Sequence, residues 1–565
     1  MNLILKTLPL SAALVALLLP LAAYGQSAED LKKGTSDTGN VLNYGMDYGQ
    51  KRYSPLDQIN KDTVKYLVPV WNYSLADDRS QESQAFVHNG VLFISTHNAT
   101  IALDAKTGKQ KWKTKVEYPP ETPRIVCCGI INRGVALYDG KVFRTTLDAH
   151  IVALDAKTGK ELWKSKVIDW KNGYSQTLAP LIADGVIITG TSGAEYGIRG
   201  FIDGWDPNTG KQLWRTYTIP GPGEPGNDTW PGDTWKRGGG STWITGSYDP
   251  DLRLVYWGVG NAGPWNAMMR SPGDNLYTAS VLALDPKTGT IKWHFQFSPN
   301  DPYDYDAVAD LILVDRQIDG KERKLLFSAN RNGFFYVLDR TNGEFIAANQ
   351  FVKKQNWADG IDKKGRPIES QVTKKLRATE TKAEIWPSVW GGKAWSPSAY
   401  NPKTGLVYAN TMNLGMMYTP TRPQYRAGTT YWGADLTWVF PEDGNVGQLA
   451  AIEPMTGKWK WSVPSGPARW SGVLATGGGL VFSGQATGEF DAFDADTGKR
   501  LWQFQTGSGI EGQPVTWKQD GIQYVAVAVG HGGAYAIYAG DERLQNVPAG
   551  GSLWVFALHP EFLKK

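Results

Sequence analysis

The sequence predicts an all-β fold, an eight-bladed β-propeller whose blades are joined by tryptophan-docking motifs. Three observations predict it. An eleven-residue pattern recurs along the 565 residues, as ALDAKTGKQKW at 102–112, ALDAKTGKELW at 153–163, GWDPNTGKQLW at 204–214, ALDPKTGTIKW at 283–293, AIEPMTGKWKW at 451–461 and AFDADTGKRLW at 492–502. The composition is turn-rich, with 64 Gly and 24 Trp, against an average Gly usage of about 7%. No sustained 3.6-residue apolar period is present, which argues against a helical solenoid.

Each copy has the form of a hairpin. An alternating apolar strand runs into the Asp, the Lys/Asn-Thr-Gly segment turns on a Gly suited to positive φ, and a second strand leaves through the Trp. A degenerate copy, VLDRTNGEF, spans 337–345, and strand-like runs such as GVLFIS from Gly90, GKVFRT from Gly140, GVIIT from Gly185 and GLVFS from Gly479 lie between copies. SYDPDLRLVYWG from Ser247 and AYNPKTGLVYAN from Ala399 lack the terminal Trp and read as inner hairpins. The motif acids Asp104, Asp155 and Asp206 are 51 residues apart, the step to Asp285 is 79, and Glu453 to Asp494 is 41. Repeats of this size with loop insertions suit a propeller. Seven motifs plus one blade completed by both chain ends, with a last strand near 551–558, give eight; spacing alone leaves seven or nine open. The motif Trp has a structural task, since a large ring between adjacent sheets buries about 150–250 Å².

At the N-terminus, Lys6, an apolar run from Leu8 to Ala23 and the small-x-small triplet Ala23-Tyr24-Gly25 read as a signal peptide over 1–25, leaving 26–565 as a single propeller domain. The run is interrupted by Pro20, and no other stretch approaches the ~20 apolar residues of a membrane span. The expected mature protein is exported to the periplasm, without a membrane span. A net charge of +4 gives no nucleic-acid footprint. Only two cysteines occur, Cys127 and Cys128, which excludes zinc fingers, disulfide-stapled minidomains and a CxxCH haem attachment.

The residues outside the repeat carry the chemistry. Cys127 and Cys128 are either a strained disulfide, because adjacent Cα atoms lie about 3.8 Å apart and below the usual span, or two reduced buried thiols; export favours the first. Asp304 and Asp306 alternate around Tyr305, which in an extended segment puts both carboxylates on one face. With Glu195 also in a loop and Asn261 able to supply an amide oxygen, a hard cation is one reading and ordinary solvated acids the other. Arg133 and Arg331 are candidate anion partners or simple surface cations. The six His residues show no metal-ligand spacing, and no Walker, GxSxG or dinucleotide pattern occurs.

Taken in order, the AxDxxTGxxxW repeat, the vicinal CC followed by Arg133, SGAE at 192–195, STW at 241–243, GNAGPWN at 260–266 and DYD at 304–306 resemble the pyrroloquinoline-quinone (PQQ) alcohol and methanol dehydrogenases over essentially the whole mature chain. The resemblance implies an eight-bladed propeller with PQQ flat between a Cys127–Cys128 disulfide and the Trp243 indole. It implies that Glu82, Arg133, Thr177, Ser192, Gly193 and Ala194 bind the cofactor's carboxylates and carbonyls and that Arg331 lies near the reactive carbonyls. Trp470 and Ala534 look like further wall positions. Glu195, Asn261 and Asp304 match the metal ligands, and Asp304 the catalytic base that takes the alcohol's hydroxyl proton as hydride moves to PQQ.

Asp306, two residues beyond, resembles the lanthanide-dependent members. Three carboxylates also suit a trivalent cation better than a divalent one, with calcium as the fallback. The implied partners are a small primary alcohol and a separate cytochrome c acceptor; the oligomeric state, a homodimer among the options, is left open. Where the family often has Asn before Trp395, this chain has Ala394, so that quinone contact is lost or moves to Lys393. Two rival readings stand beside this one, a quinoprotein acting on another alcohol or on sugars, and a non-enzymatic periplasmic propeller scaffold.

Overall fold

The computed structural model of the chain describes residues 26–318 and 320–563; the expected signal peptide, 1–25, lies outside the described residues. Eight sheets follow one another, each built on four antiparallel strands, over 86–115, 136–166, 181–217, 247–296, 312–350, 399–465, 473–505 and 515–558. The eighth has only three strands from the C-terminal end, and its outer strand is Leu67–Ser74, paired antiparallel with Ser552–Leu558 from Leu67↔Leu558 to Ser74↔Ser552. The two ends of the chain therefore close the ring, as expected. A short N-terminal strand, Tyr53–Ser54, adds in parallel to the inner edge of the seventh sheet.

The repeat forms the third and fourth strands of the first seven blades, in degenerate form in the fifth. Its Asp side chain caps the turn: Asp155 Oδ1 accepts from the backbone N–H of Lys157 and Thr158 and from the Thr158 hydroxyl. The Trp then reaches the next blade. Trp112 lies on Gly159, at φ +72, where an added Cβ would stand 2.5 Å from the indole ring. Its Nε1 donates to the Ala156 carbonyl at 3.1 Å, and the contact repeats with Trp163 to Pro207, Trp214 to Pro286, Trp461 to Ala495 and Trp502 to Leu67. Dispersion and burial at these flat faces hold blade to blade.

Two positions depart from the six-copy pattern. Trp71, on the N-terminal closing strand, lies on Gly108 of the first blade with a would-be Cβ distance of 2.6 Å, so it is a docking Trp that no repeat copy announces. The fifth blade has Ala347 at the register position of the docking Trp, opposite Val337, and its junction is made from the other side, where Trp459 of the sixth blade donates to the Phe351 carbonyl at 2.7 Å.

The topology also sorts the loops. In a four-stranded antiparallel meander, the turns joining strands one to two and three to four lie at one end, while the connection into strand one and the two-to-three connection lie at the other. Every Thr-Gly turn of the Trp-ended repeat is of the first kind, joining strands three and four. The irregular insertions are of the second, including the small sheet Ala383–Ile385, Gly415–Pro420 and Ala434–Val439. Among the described residues, no helix is long and apolar enough to cross a membrane.

Trp71→Ala is expected to destabilise the protein by about 3 kcal/mol, as loss of a packed aromatic does. Leu213→Ala, at a side chain 48% exposed on an outer strand, is expected to cost under about 0.5 kcal/mol. Urea denaturation distinguishes them, and equal midpoints would contradict the docking role of Trp71.

Candidate active site

The cavity at the irregular end of the ring has about 680 Å³ of empty space counted to its open mouth, and connections from all eight blades supply its wall. It brings together Glu82, Cys127, Cys128, Arg133, Thr177, Ser192, Gly193, Glu195, Trp243, Asp304, Asp306, Arg331, Trp470 and Ala534. Of the residues expected to hold cofactor or metal, Ala194 and Asn261 are the two outside the lining, and both are buried. Ile131, Trp390 and Trp395 complete the wall.

Cys127 and Cys128 are joined in a disulfide, with Cys128 at φ +69 and Gly129 at φ +122 carrying the chain through the tight ring. Trp243 also faces the cavity, and its Nε1 donates to Asp306 Oδ2 at 3.1 Å. The Arg133 guanidinium stands 4.7 Å from the Trp243 ring centroid and 4.5 Å from that of Trp395. It donates to the Thr177 hydroxyl at 2.8 Å and pairs with Glu82 Oε2 at 2.7 Å. The hydroxyls of Thr177 and Ser192 lie 3.1 Å apart. This side of the cavity thus presents a guanidinium and two hydroxyls, a set suited to carboxylates and carbonyls. Burial raises Glu82 against the pull of Arg133.

Opposite them sit the acids. Asp306 Oδ1 accepts the Asn261 backbone N–H at 2.6 Å. Arg331 Nη1 stands 3.1 Å from both Asp304 Oδ2 and Asp306 Oδ2 and donates to the Asp304 carbonyl at 2.8 Å. Burial first, and then the charge of Asp306, hold the Asp304 carboxyl well above its ordinary range, against the attraction of Arg331. Glu195 is pushed up to about 7, chiefly by burial and then by Asp306.

One local expectation is corrected. The 304–306 segment is not an extended strand with alternating faces. Asp304 adopts φ +61, and the Asp306 N–H bonds back to the Asp304 carbonyl at 2.9 Å, so a tight turn rather than pleat alternation aims the carboxylates. Lys393 is corrected as well. Its Nζ pairs with Asp310 Oδ1 at 2.8 Å with no side-chain exposure, so it does not take over a contact at the cavity.

Buried oxygens without partners are informative, because such groups are normally satisfied. Asp304 Oδ1 and the Asn261 side-chain Oδ1 are both orphaned. Among the described residues, no three His, Cys, Asp or Glu side chains form a metal cage by themselves. Asp304 and Asp306 are spanned by Arg331, and the open acceptors include an amide oxygen. That set of hard oxygen donors fits a hard cation completed by ligands from elsewhere.

Sequence reasoning missed Trp390 and Trp395, which flank the non-repeat WGGKAW segment, and Glu511. The Glu511 carboxylate is buried against Gly533, accepts from the Gly532 N–H at 3.2 Å and the Ser80 hydroxyl at 3.3 Å, and is raised by burial and then by Glu82.

Residues 42–356 and 434–525 match the family model for the PQQ glucose/ethanol/alcohol dehydrogenase β-propeller domain. The chain is 42% identical to the quinoprotein alcohol dehydrogenase PedH of Pseudomonas putida, over 97% of this chain and 96% of that protein. It is 40% identical to a quinoprotein ethanol dehydrogenase of Pseudomonas aeruginosa, over 94% and 92%. Among solved structures, a europium-containing methanol dehydrogenase superposes with a TM-score of 0.88 at 36% identity, over 94% of this chain and all of that one.

Arg331→Met leaves two buried carboxylates facing each other without their shared cation, and is expected to cost about 3–5 kcal/mol in urea denaturation. Arg366→Met breaks an exposed pair with Asp274 and is expected to cost under about 1 kcal/mol. A similar cost for both would contradict the bridging role of Arg331.

Proposed function

The chain belongs to the PQQ-dependent alcohol dehydrogenases, and from that premise we propose that it oxidises small primary alcohols to aldehydes in the periplasm, with Asp304 as the base. Membership sets aside the scaffold reading. The observation that carries the proposal is Asp304 Oδ1, a buried carboxylate oxygen on the cavity wall with no partner of its own.

PQQ bound in the cavity supplies the two-electron acceptor for a hydride from the carbinol carbon, and a hard cation beside it supplies Lewis acidity. The chain's own residues prepare the reaction. Cys127–Cys128 and Trp243 offer two faces for a planar ring, while Arg133, Thr177 and Ser192, with Glu82 and the Gly193–Ala194 backbone, meet its polar edge. Trp470 and Ala534 close the wall, and the surrounding indoles of Trp390 and Trp395 exclude water. Arg331 holds Asp304 through Oδ2, which leaves Oδ1 to accept the alcohol's hydroxyl proton as the carbinol C–H bond breaks, its hydrogen leaves with the bonding pair and the carbonyl forms.

Glu195, Asn261, Asp304 and Asp306 are the proposed cation ligands. Asp306 keeps its orientation through the Asn261 N–H and Trp243 Nε1, and three acids against a single Arg331 favour a lanthanide over calcium. A separate cytochrome c is the proposed one-electron acceptor. The mature chain is read as one exported domain, 26–565, and a homodimer is compatible with this reading.

Asp304→Asn is expected to lower kcat by about 10²–10⁴-fold in alcohol oxidation assayed with PQQ and an artificial acceptor, the range for loss of a general base. Near-normal kcat would contradict its role. Metal-free wild type is expected to regain activity with lanthanum, whereas Asp306→Ala is expected to lose the lanthanum response; activity in the wild type with calcium alone would overturn the lanthanide assignment.

A further inference from the structure

Asp304 carries a side chain in the left-handed backbone region, which persists only where its surroundings enforce it. The enforcing contacts come from Asp301. Its carboxylate is 1% exposed and divides its oxygens between the residues flanking Asp304: Oδ1 accepts the Tyr303 N–H at 3.0 Å and Oδ2 the Tyr305 N–H at 2.7 Å. Both tyrosine rings are fully buried on the far side, with the Tyr303 hydroxyl 3.0 Å from Thr373 Oγ1 and the Tyr305 hydroxyl donating to Pro387 at 2.7 Å. Asp304 is left facing the cavity between two anchored neighbours.

Arg270 joins this turn to the loop that carries Asn261. The guanidinium has no exposure and spans main chain of both loops, with Nε donating to the Pro264 carbonyl at 2.8 Å and Nη2 to the Trp265 carbonyl at 3.4 Å and to the Asp301 carbonyl, while Nη1 donates to the Asn275 side-chain Oδ1 at 2.7 Å. A planar fork suits such bridging, and a lysine could not reproduce it.

We propose that Asp301 and Arg270 form one staple that positions Asp304 and fixes its distance from Asn261, so that both halves of the oxygen-donor set are held in register before any ligand arrives. Neither side chain lines the cavity; both act through the residues they hold. The inference rests on the proposed chemistry of Asp304 but makes its own demand on the backbone.

Asp301→Asn is the informative change, because an amide keeps the shape but has one acceptor oxygen, and its NH2 would confront a backbone N–H. Two readouts are compared with wild type: kinetics of alcohol oxidation, and terbium(III) luminescence titration of the protein with PQQ present. The expected result is a fall of about 10–100-fold in kcat and in terbium affinity, the range for partners that orient a ligand, with alcohol KM within about threefold. Arg270→Lys is expected to give the same signature, while Asp274→Asn, at the exposed pair, matches wild type. Circular dichroism checks that each variant folds; if Asp301→Asn does not, Arg270→Lys decides. Wild-type kcat and terbium affinity in Asp301→Asn and Arg270→Lys would overturn the staple. A wild type that binds terbium but oxidises no alcohol would overturn the proposed function instead, and the terbium comparison would still decide the staple.

Discussion

Everything in this molecule depends on the flat contact between a tryptophan at the end of one blade and a glycine turn on the next. A four-stranded twisted sheet cannot bury both faces alone, and stacking it on a neighbour leaves a further face open until the ring closes. The Trp–Gly contact sets the spacing of that stack, because any Cβ at Gly159 or Gly108 would occupy the position of the ring. Closure then falls to residues 67–74, which supply the outermost strand of the last blade and dock Trp71 on the first.

The same arrangement produces the division of labour between the two ends of the ring. The Thr-Gly turns must stay short and regular for the indoles to land, so variation is confined to the opposite connections. There the chain gathers the disulfide, the indoles, two cavity-facing arginines and the acids, each borne by a loop whose ends are fixed by strands. Catalytic geometry on loops needs additional restraint, and it is visible in the buried ion pairs and capped turns. Arg133 with Glu82 and Arg331 with Asp304 and Asp306 keep charges paired in a site where an unpaired charge would be costly.

Much of this was legible in the sequence because the repeat is a local signal: strand, turn and docking ring occupy eleven consecutive residues. Trp71 was hidden because its hairpin is not local. Its partner strand lies at 552–558, so no Thr-Gly turn precedes it and VPVWNYS looks like any β segment. The fifth junction, where Trp459 works in the reverse direction, was hidden for a related reason. At the site, the vicinal cysteines and the Asp-x-Asp spacing pointed to loops that meet at one cavity, which gathers nearly all the residues chosen. The conformation of Asp304 was not legible, since alternation presumes an extended backbone and the turn is imposed by Asp301 through hydrogen bonds that no spacing reveals. Trp390 and Trp395 could have been suspected as indoles flanking a Gly pair outside the repeat, but 24 tryptophans dilute that signal.

The central claim is that the irregular end of the ring is a cage for a planar quinone. Its most direct test is equilibrium binding of PQQ to the purified chain, followed by the quinone absorption band, in wild type and in Trp243→Ala with and without reduction of Cys127–Cys128. The account predicts saturable binding at one PQQ per chain, weakened at least about tenfold when the indole face is removed, as for loss of a stacking platform, and weakened again on reduction. Wild type that leaves PQQ free in solution, or binding indifferent to both faces, would contradict it.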